Sequence, residues 1–238
     1  MPFFDPLDGS PDDAAGSDNL NRPEEYVQGF SSLTRIDIDD CRSLTSILWS
    51  SSLPSLEELH IADCNSLTSI GVCGASSSSS GSGVKGFSSL AKISIWRCHA
   101  LSSLDEFLTP DYLPVVKSIS VRSCFGLISL SVYRLDGLQD LEIINCPRLK
   151  SQRVITFPSS LKKLVLDYCK GIESIDIKNS QLRSVSELEQ LRIVHCPALK
   201  SIGTTAIDEI KDVTISGCPE LKDIQQPFNR TYVKCRAI

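Results

Sequence analysis

Ten cysteines, three histidines and scattered carboxylates are the side chains in this 238-residue sequence that could do chemistry. Cysteine with histidine suggests zinc, cysteine alone suggests disulfides or a nucleophile, and paired carboxylates suggest acid–base work. The spacing points away from all three. Cys41, Cys64, Cys98, Cys124, Cys146, Cys169, Cys196 and Cys218 each stand eight residues after an apolar position: Leu33, Leu56, Leu90, Val116, Leu138, Leu161, Leu188 and Ile210. A cysteine that returns at one phase of a repeated phrase behaves as a small apolar residue facing a core, so these eight are expected to be buried free thiols. Cys73 and Cys235 fall outside the ladder and are the expected exposed thiols. Zinc-type spacings are absent, and His60, His99 and His195 fall in different copies of the phrase. No G-x-S-x-G elbow, phosphate loop, H-E-x-x-H pair or glycine-rich dinucleotide turn occurs, so neither an enzyme nor a metal or cofactor is expected.

The phrase itself is clearest at Leu56 to Ile70, LEELHIADCNSLTSI, or L-x-x-L-x-I-x-x-C-x-x-L-x-x-I. It occurs eight times. The L-x-I core alternates with period two and reads as a short strand, which cannot bury its apolar face alone. Stacked copies place the strands side by side in a parallel sheet and gather the Leu, Ile and Cys rungs into one strip of core. Eight strands spaced about 4.8 Å apart make a curved sheet of roughly 35 Å. The outer segments are short, so turns and 3₁₀ pieces are expected there, with one helical turn near Asp105 to Leu108 and another around Ser184 to Glu189.

Alternation also selects the side chains that the concave face presents. One column is Asp37, His60, Ser94, Ser120, Glu142, Val165, Arg192 and Thr214. Two residues later comes Asp39, Ala62, Trp96, Arg122, Ile144, Asp167, Val194 and Ser216. None of these has a packing duty in the core, so a ligand is free to determine them. Trp and Arg are the types most enriched at binding hot spots, and neighbouring rungs could bring the Arg122 guanidinium over the Trp96 indole. The plainer alternative is that Trp96 only covers a shallow part of the sheet. The candidate protein-binding set is His60, Trp96, Arg97, Arg122, Glu142, Ile144, Asp167 and Arg192.

Composition bounds the rest. With 41% hydrophobic residues the chain can bury one sizeable core, and no apolar run approaches the ~20 residues of a membrane span. The start, MPFFDPLDGSPDD, lacks a basic end and an apolar stretch and is not a secretory signal, so the cytoplasm or nucleus is the expected location. Residues 1–64 carry 13 acidic and 3 basic side chains, the remainder 16 and 21, and no concentrated basic stripe suggests nucleic acid. Residues 1–24 are expected to be disordered or loosely attached, and residues 25–238 to form one repeat domain. Within it, the Ser/Gly tract 71–86 is an expected flexible insertion, since cysteine spacing is 34 across it against 22 to 27 elsewhere. Residues 225–238 leave the pattern as an expected C-terminal cap.

The skeleton resembles the leucine-rich repeat, with C-x-x-L where C-x-L is commoner. The phrases LEELHIADCNSLTSI, LQDLEIINCPRLKS, LKKLVLDYCKGIESI, LEQLRIVHCPALKSI and IKDVTISGCPELKDI look like those of the irregular, cereal-type repeat domains of plant nucleotide-binding immune receptors. The resemblance covers residues 30–224 and implies an α/β fold: a right-handed β/α superhelix with eight parallel strands on the concave face. It also implies a monomeric recognition domain whose protein partner is a pathogen effector or the receptor's own nucleotide-binding domain. No nucleotide-binding or coiled-coil domain is present in the sequence. A substrate-binding leucine-rich-repeat adaptor of an F-box ubiquitin ligase is the alternative, although residues 1–29 are too short and polar for an F-box. An extracellular receptor would show a signal peptide and Asn- and Gly-Pro-rich repeats.

Overall fold

The structure, a computed structural model, describes residues 32–49, 53–72, 86–150, 155–177, 187–203 and 210–224. Eight five-residue strands build one parallel sheet, with elements numbered in chain order: β1 (Arg35–Asp39), β3 (Glu58–Ala62), β5 (Lys92–Trp96), β6 (Ser118–Arg122), β7 (Asp140–Ile144), β9 (Lys163–Asp167), β11 (Gln190–Val194) and β13 (Asp212–Ser216). Each strand pairs with the next copy of the phrase, so the chain winds as a parallel-strand β-solenoid, which fits a leucine-rich-repeat-like fold. Register follows the repeat without slippage: Leu59 faces Ile93, Ile93 faces Ile119, and Ile119 faces Leu141. The pairing of β3 with β5 runs straight across the Ser/Gly insertion. From Leu59 to Ile193 these L-x-I rungs are fully buried, and the first coil's Ile36 and Ile38 are only partly covered.

The outer side departs from expectation. No helix of any kind occurs among the described residues, so the α component of the expected α/β class is absent there. Instead, the closing Ile of several copies sits in a second set of short strands. Strand β2 (Ser46–Trp49) pairs with β4 (Ser69–Val72); β8 (Ile155–Phe157), β10 (Ser174–Ile177), β12 (Ser201–Gly203) and β14 (Asp223–Ile224) form a four-stranded parallel sheet. Ile47 faces Ile70, and Ile175 faces Ile202. The physical reason is length and composition: these segments are too short for a stable helix, while β-branched residues spaced one coil apart can pair directly. At Asp105 to Leu108 a single turn does form, with Phe107 N and Leu108 N donating to Leu104 O at 3.1 and 2.9 Å. Pro110 follows and cannot donate, so the turn goes no further. Glu187 to Glu189 is irregular rather than helical. The expectations for residues 1–24, for most of the Ser/Gly insertion, for Ser184 to Ser186, for the cap 225–238 and for Cys73 and Cys235 lie outside the described residues.

All eight ladder cysteines are free thiols. Cys64 through Cys196 are buried, and each of these except Cys98 points its Sγ at a backbone carbonyl of the preceding coil, as Cys169 does to Ile143 O at 3.5 Å. Cys41 and Cys218 depart from the expected burial: Cys218 is only partly buried, and Cys41 is exposed, because no earlier coil covers it among the described residues. A thiol reagent applied to the native chain should therefore label Cys41 quickly and spare Cys98, Cys124 and Cys146. Mass spectrometry of the labelled peptides checks this, and rapid labelling of Cys146 would remove the buried ladder.

Candidate binding site on the open sheet face

The strand just before each cysteine ends in a backbone device that repeats along the sheet. Asp40, Asp63, Arg97, Ser123, Asn145, Tyr168 and His195 all adopt positive φ between 52° and 56°, and Gly217 completes the row at 67°. Each of the seven donates its backbone N–H to the strand end of the next coil, from Asp40 N to Ala62 O at 3.1 Å to His195 N to Ser216 O at 2.9 Å. The left-handed turn carries the chain from the open face into the core, where the cysteine follows. Its sequence signal is visible afterwards: the position before Cys holds Asp, Asn, Gly and other unbranched residues, never Val, Ile or Thr.

On the open face both expected columns form in register. Asp37, His60, Ser94, Ser120, Glu142, Val165, Arg192 and Thr214 face one another in succession, as do Asp39, Ala62, Trp96, Arg122, Ile144, Asp167, Val194 and Ser216. Ala62, Val165 and Val194 are nonetheless buried, so part of each column is closed to a ligand. A third column, absent from the sequence reasoning, lies two residues earlier: Arg35, Glu58, Lys92, Ser118, Asp140, Lys163, Gln190 and Asp212. The same alternation predicts it once the strand is begun one pleat sooner.

These columns enclose a shallow concavity of about 370 Å³ at the centre of the sheet. His60, Trp96, Arg122 and Glu142 line it, joined by the unforeseen Lys92, Ser118, Asp140 and Lys163. Trp96 is 42% exposed. Of the remaining candidates, Arg97 stands beside Trp96, Ile144 lies half-buried on the next strand but one, and Asp167 and Arg192 form a separate pair at 3.8 Å. Beyond that pair, Tyr168 stacks on His195 with ring centroids 4.3 Å apart.

The contact imagined between Trp96 and Arg122 does not form. The cation over the indole is Arg97, 5.2 Å from the ring centroid and tied to Asp63 at 2.6 Å. Arg122 turns the other way, donating Nη2 to Glu142 and Nε to Ser120 Oγ at 3.1 Å. The choice is electrostatic: Glu142 on the neighbouring strand offers a full charge, and a charge-assisted hydrogen bond outweighs a half-solvated cation–π contact. Glu142 also accepts from Lys163 Nζ at 2.7 Å. Burial works to raise its carboxyl pKa, but the hydrogen bonds from Lys163 and Arg122 outweigh that and hold it below the ordinary value.

No family model matches the sequence, and no solved structure matches it. Over 145 residues the chain is 30% identical to an Arabidopsis thaliana protein described as disease resistance RPP13-like protein 1. That stretch is 57% of this chain and 13% of the relative's length, so the chain spans only a small part of it.

Proposed function

We propose that this solenoid is a protein-recognition module, the ligand-sensing and autoinhibitory repeat region of an intracellular plant disease-resistance receptor. The observation that carries the proposal is Trp96, a large aromatic side chain left open at the centre of the sheet face. Distant similarity to a plant disease resistance protein and the solenoid fold support it. On this reading the work is binding rather than catalysis. The partner is a protein, either the receptor's nucleotide-binding domain or a pathogen effector, and the isolated domain acts as a monomer in the cytoplasm or nucleus.

Trp96→Ala and Arg122→Ala should each cost under ~1 kcal/mol of folding stability, since both side chains stand outside the core and Lys163 still pairs Glu142 when Arg122 is gone. Each should weaken a partner complex by about 2 kcal/mol or more, which is roughly 30-fold. Thermal melts of both variants, with binding measured against a disease-resistance nucleotide-binding domain and candidate effectors, check the pair of outcomes. Retention of every partner by Trp96→Ala would move the site away from the centre of the sheet.

A further inference from the structure

Around the concavity, three cations face two carboxylates. Lys92, Arg122 and Lys163 stand on its walls, with Asp140 and Glu142 as the acidic members. Both Glu142 oxygens are already occupied, Oε1 by Lys163 and Oε2 by Arg122, and its side chain lies beneath them with 19% exposure. One carboxylate thus steers two cations toward the same space. Asp140, in register with Lys163, offsets one charge. On the opposite wall Lys92 reaches Glu58 only at 3.6 Å, because Arg35 holds the other Glu58 oxygen at 2.7 Å. The floor is made of small hydroxyl side chains, with Ser94 in register with Ser120. Ser120 Oγ accepts from Arg122 Nε, which leaves its own proton to donate. Donors therefore converge from the walls and the floor, and Trp96 supplies an apolar wall beside them.

We infer that this concavity takes an acidic side chain of a protein partner, with a neighbouring apolar side chain of that partner laid against Trp96. The inference rests on the recognition face proposed above and gives that face its ligand chemistry. A carboxylate suits the surplus of donors and the residual positive charge. A basic side chain would have Asp140 alone to pair with, beside Lys92, Arg122 and Lys163, because Glu142 is already held by two cations.

Capped pentapeptides Ala-Phe-Glu-Phe-Ala, with Gln, Lys or phosphoserine in place of Glu, test this by NMR on the full chain. The chain has two tryptophans, so Trp49→Phe assigns the Trp96 indole signal. The Glu peptide should shift that signal saturably, bind at least fivefold more tightly than the Gln peptide, and weaken as salt rises. The Lys peptide should not bind, and Lys163→Gln should erase the preference of Glu over Gln. Equal binding of Glu and Gln peptides, preference for Lys, tenfold preference for phosphoserine, or no shift with any peptide would each overturn the inference. If that happens while Trp96→Ala still weakens the partner complex, the recognition face stands and only its ligand class fails. If Trp96→Ala leaves the complex intact, the recognition face itself fails.

Discussion

Between pH 9 and pH 11 the folded chain should lose stability steeply, by up to about 1.4 kcal/mol per pH unit for each of the buried thiols Cys98, Cys124, Cys146 and Cys196. Burial, which leaves the thiolate without water, pushes Cys98 up to about 12, Cys124 to about 11 and Cys146 to about 12. The hydrogen bond with the Cys169 thiol, opposed by the Cys218 thiol and reinforced by burial, pushes Cys196 to about 12. In the unfolded chain these groups return to about 9, so above that pH the unfolded state has given up protons that the folded state still holds. The sign follows from that imbalance: the contribution is intact below about pH 9 and disappears as pH rises toward 12. Four such thiols together remove about 5–6 kcal/mol per pH unit, against a total of about 5–15 kcal/mol for an ordinary domain. Unfolding near pH 10–11 is the expected result. Urea midpoints at pH 8, 9, 10 and 11 measure it, and Cys146→Ala should make the slope shallower by about 1.4 kcal/mol per unit. Parallel slopes for the two proteins would mean that Cys146 ionises as readily folded as unfolded.

Phe107→Ala should cost about 3–5 kcal/mol of folding stability, at least as much as removing a strand rung by Ile143→Ala, for which about 2–5 kcal/mol is expected. Phe107 is fully buried although it belongs to no copy of the repeated phrase. Its ring meets Phe87 edge-on at 6.0 Å, and Phe87 meets Trp49 edge-on at 5.5 Å. The place matters. Between β4 and β8 the outer strands lapse, and the isolated bridge from Ser103 to Ser129 is what spans the gap among the described residues. Aromatic volume fills what strand pairing leaves open, with Leu104, Leu108 and Leu113 buried in the same turn-rich segment. Truncation there leaves a cavity that a turn anchored to the coil by hydrogen bonds cannot close. Chemical denaturation of Phe107→Ala and Ile143→Ala side by side decides the point. A cost below ~1 kcal/mol for Phe107→Ala would mean that the segment 104–113 does not pack on the coils.

The main sheet was legible in the sequence because two periods enforce it at once. Alternation within L-x-I sets which side chains are buried, and the return of that phrase sets which strands pair. A register slip would expose a whole row of rungs, so His60, Ser94, Ser120 and Glu142 stand in one row as expected. The buried thiols from Cys64 to Cys196 were legible for the same reason. The exposure of Cys41 and the partial burial of Cys218 were not, since burial at the two end coils depends on a neighbour rather than on the phrase itself. The outer side depends on neighbours throughout. Ile70 joins a strand because Ile47 lies across from it, whereas the middle coils use Phe87 and Phe107 instead. The centre of the face obeys the same rule. The sequence set Trp96 and Arg122 side by side, but Glu142 on the far strand and Asp63 in the turn after the near one decided which arginine covers the indole. Periodicity by itself determined the direction each side chain takes from the sheet; only the folded chain decided its partner, because charges separated by a whole coil in sequence become neighbours one strand apart.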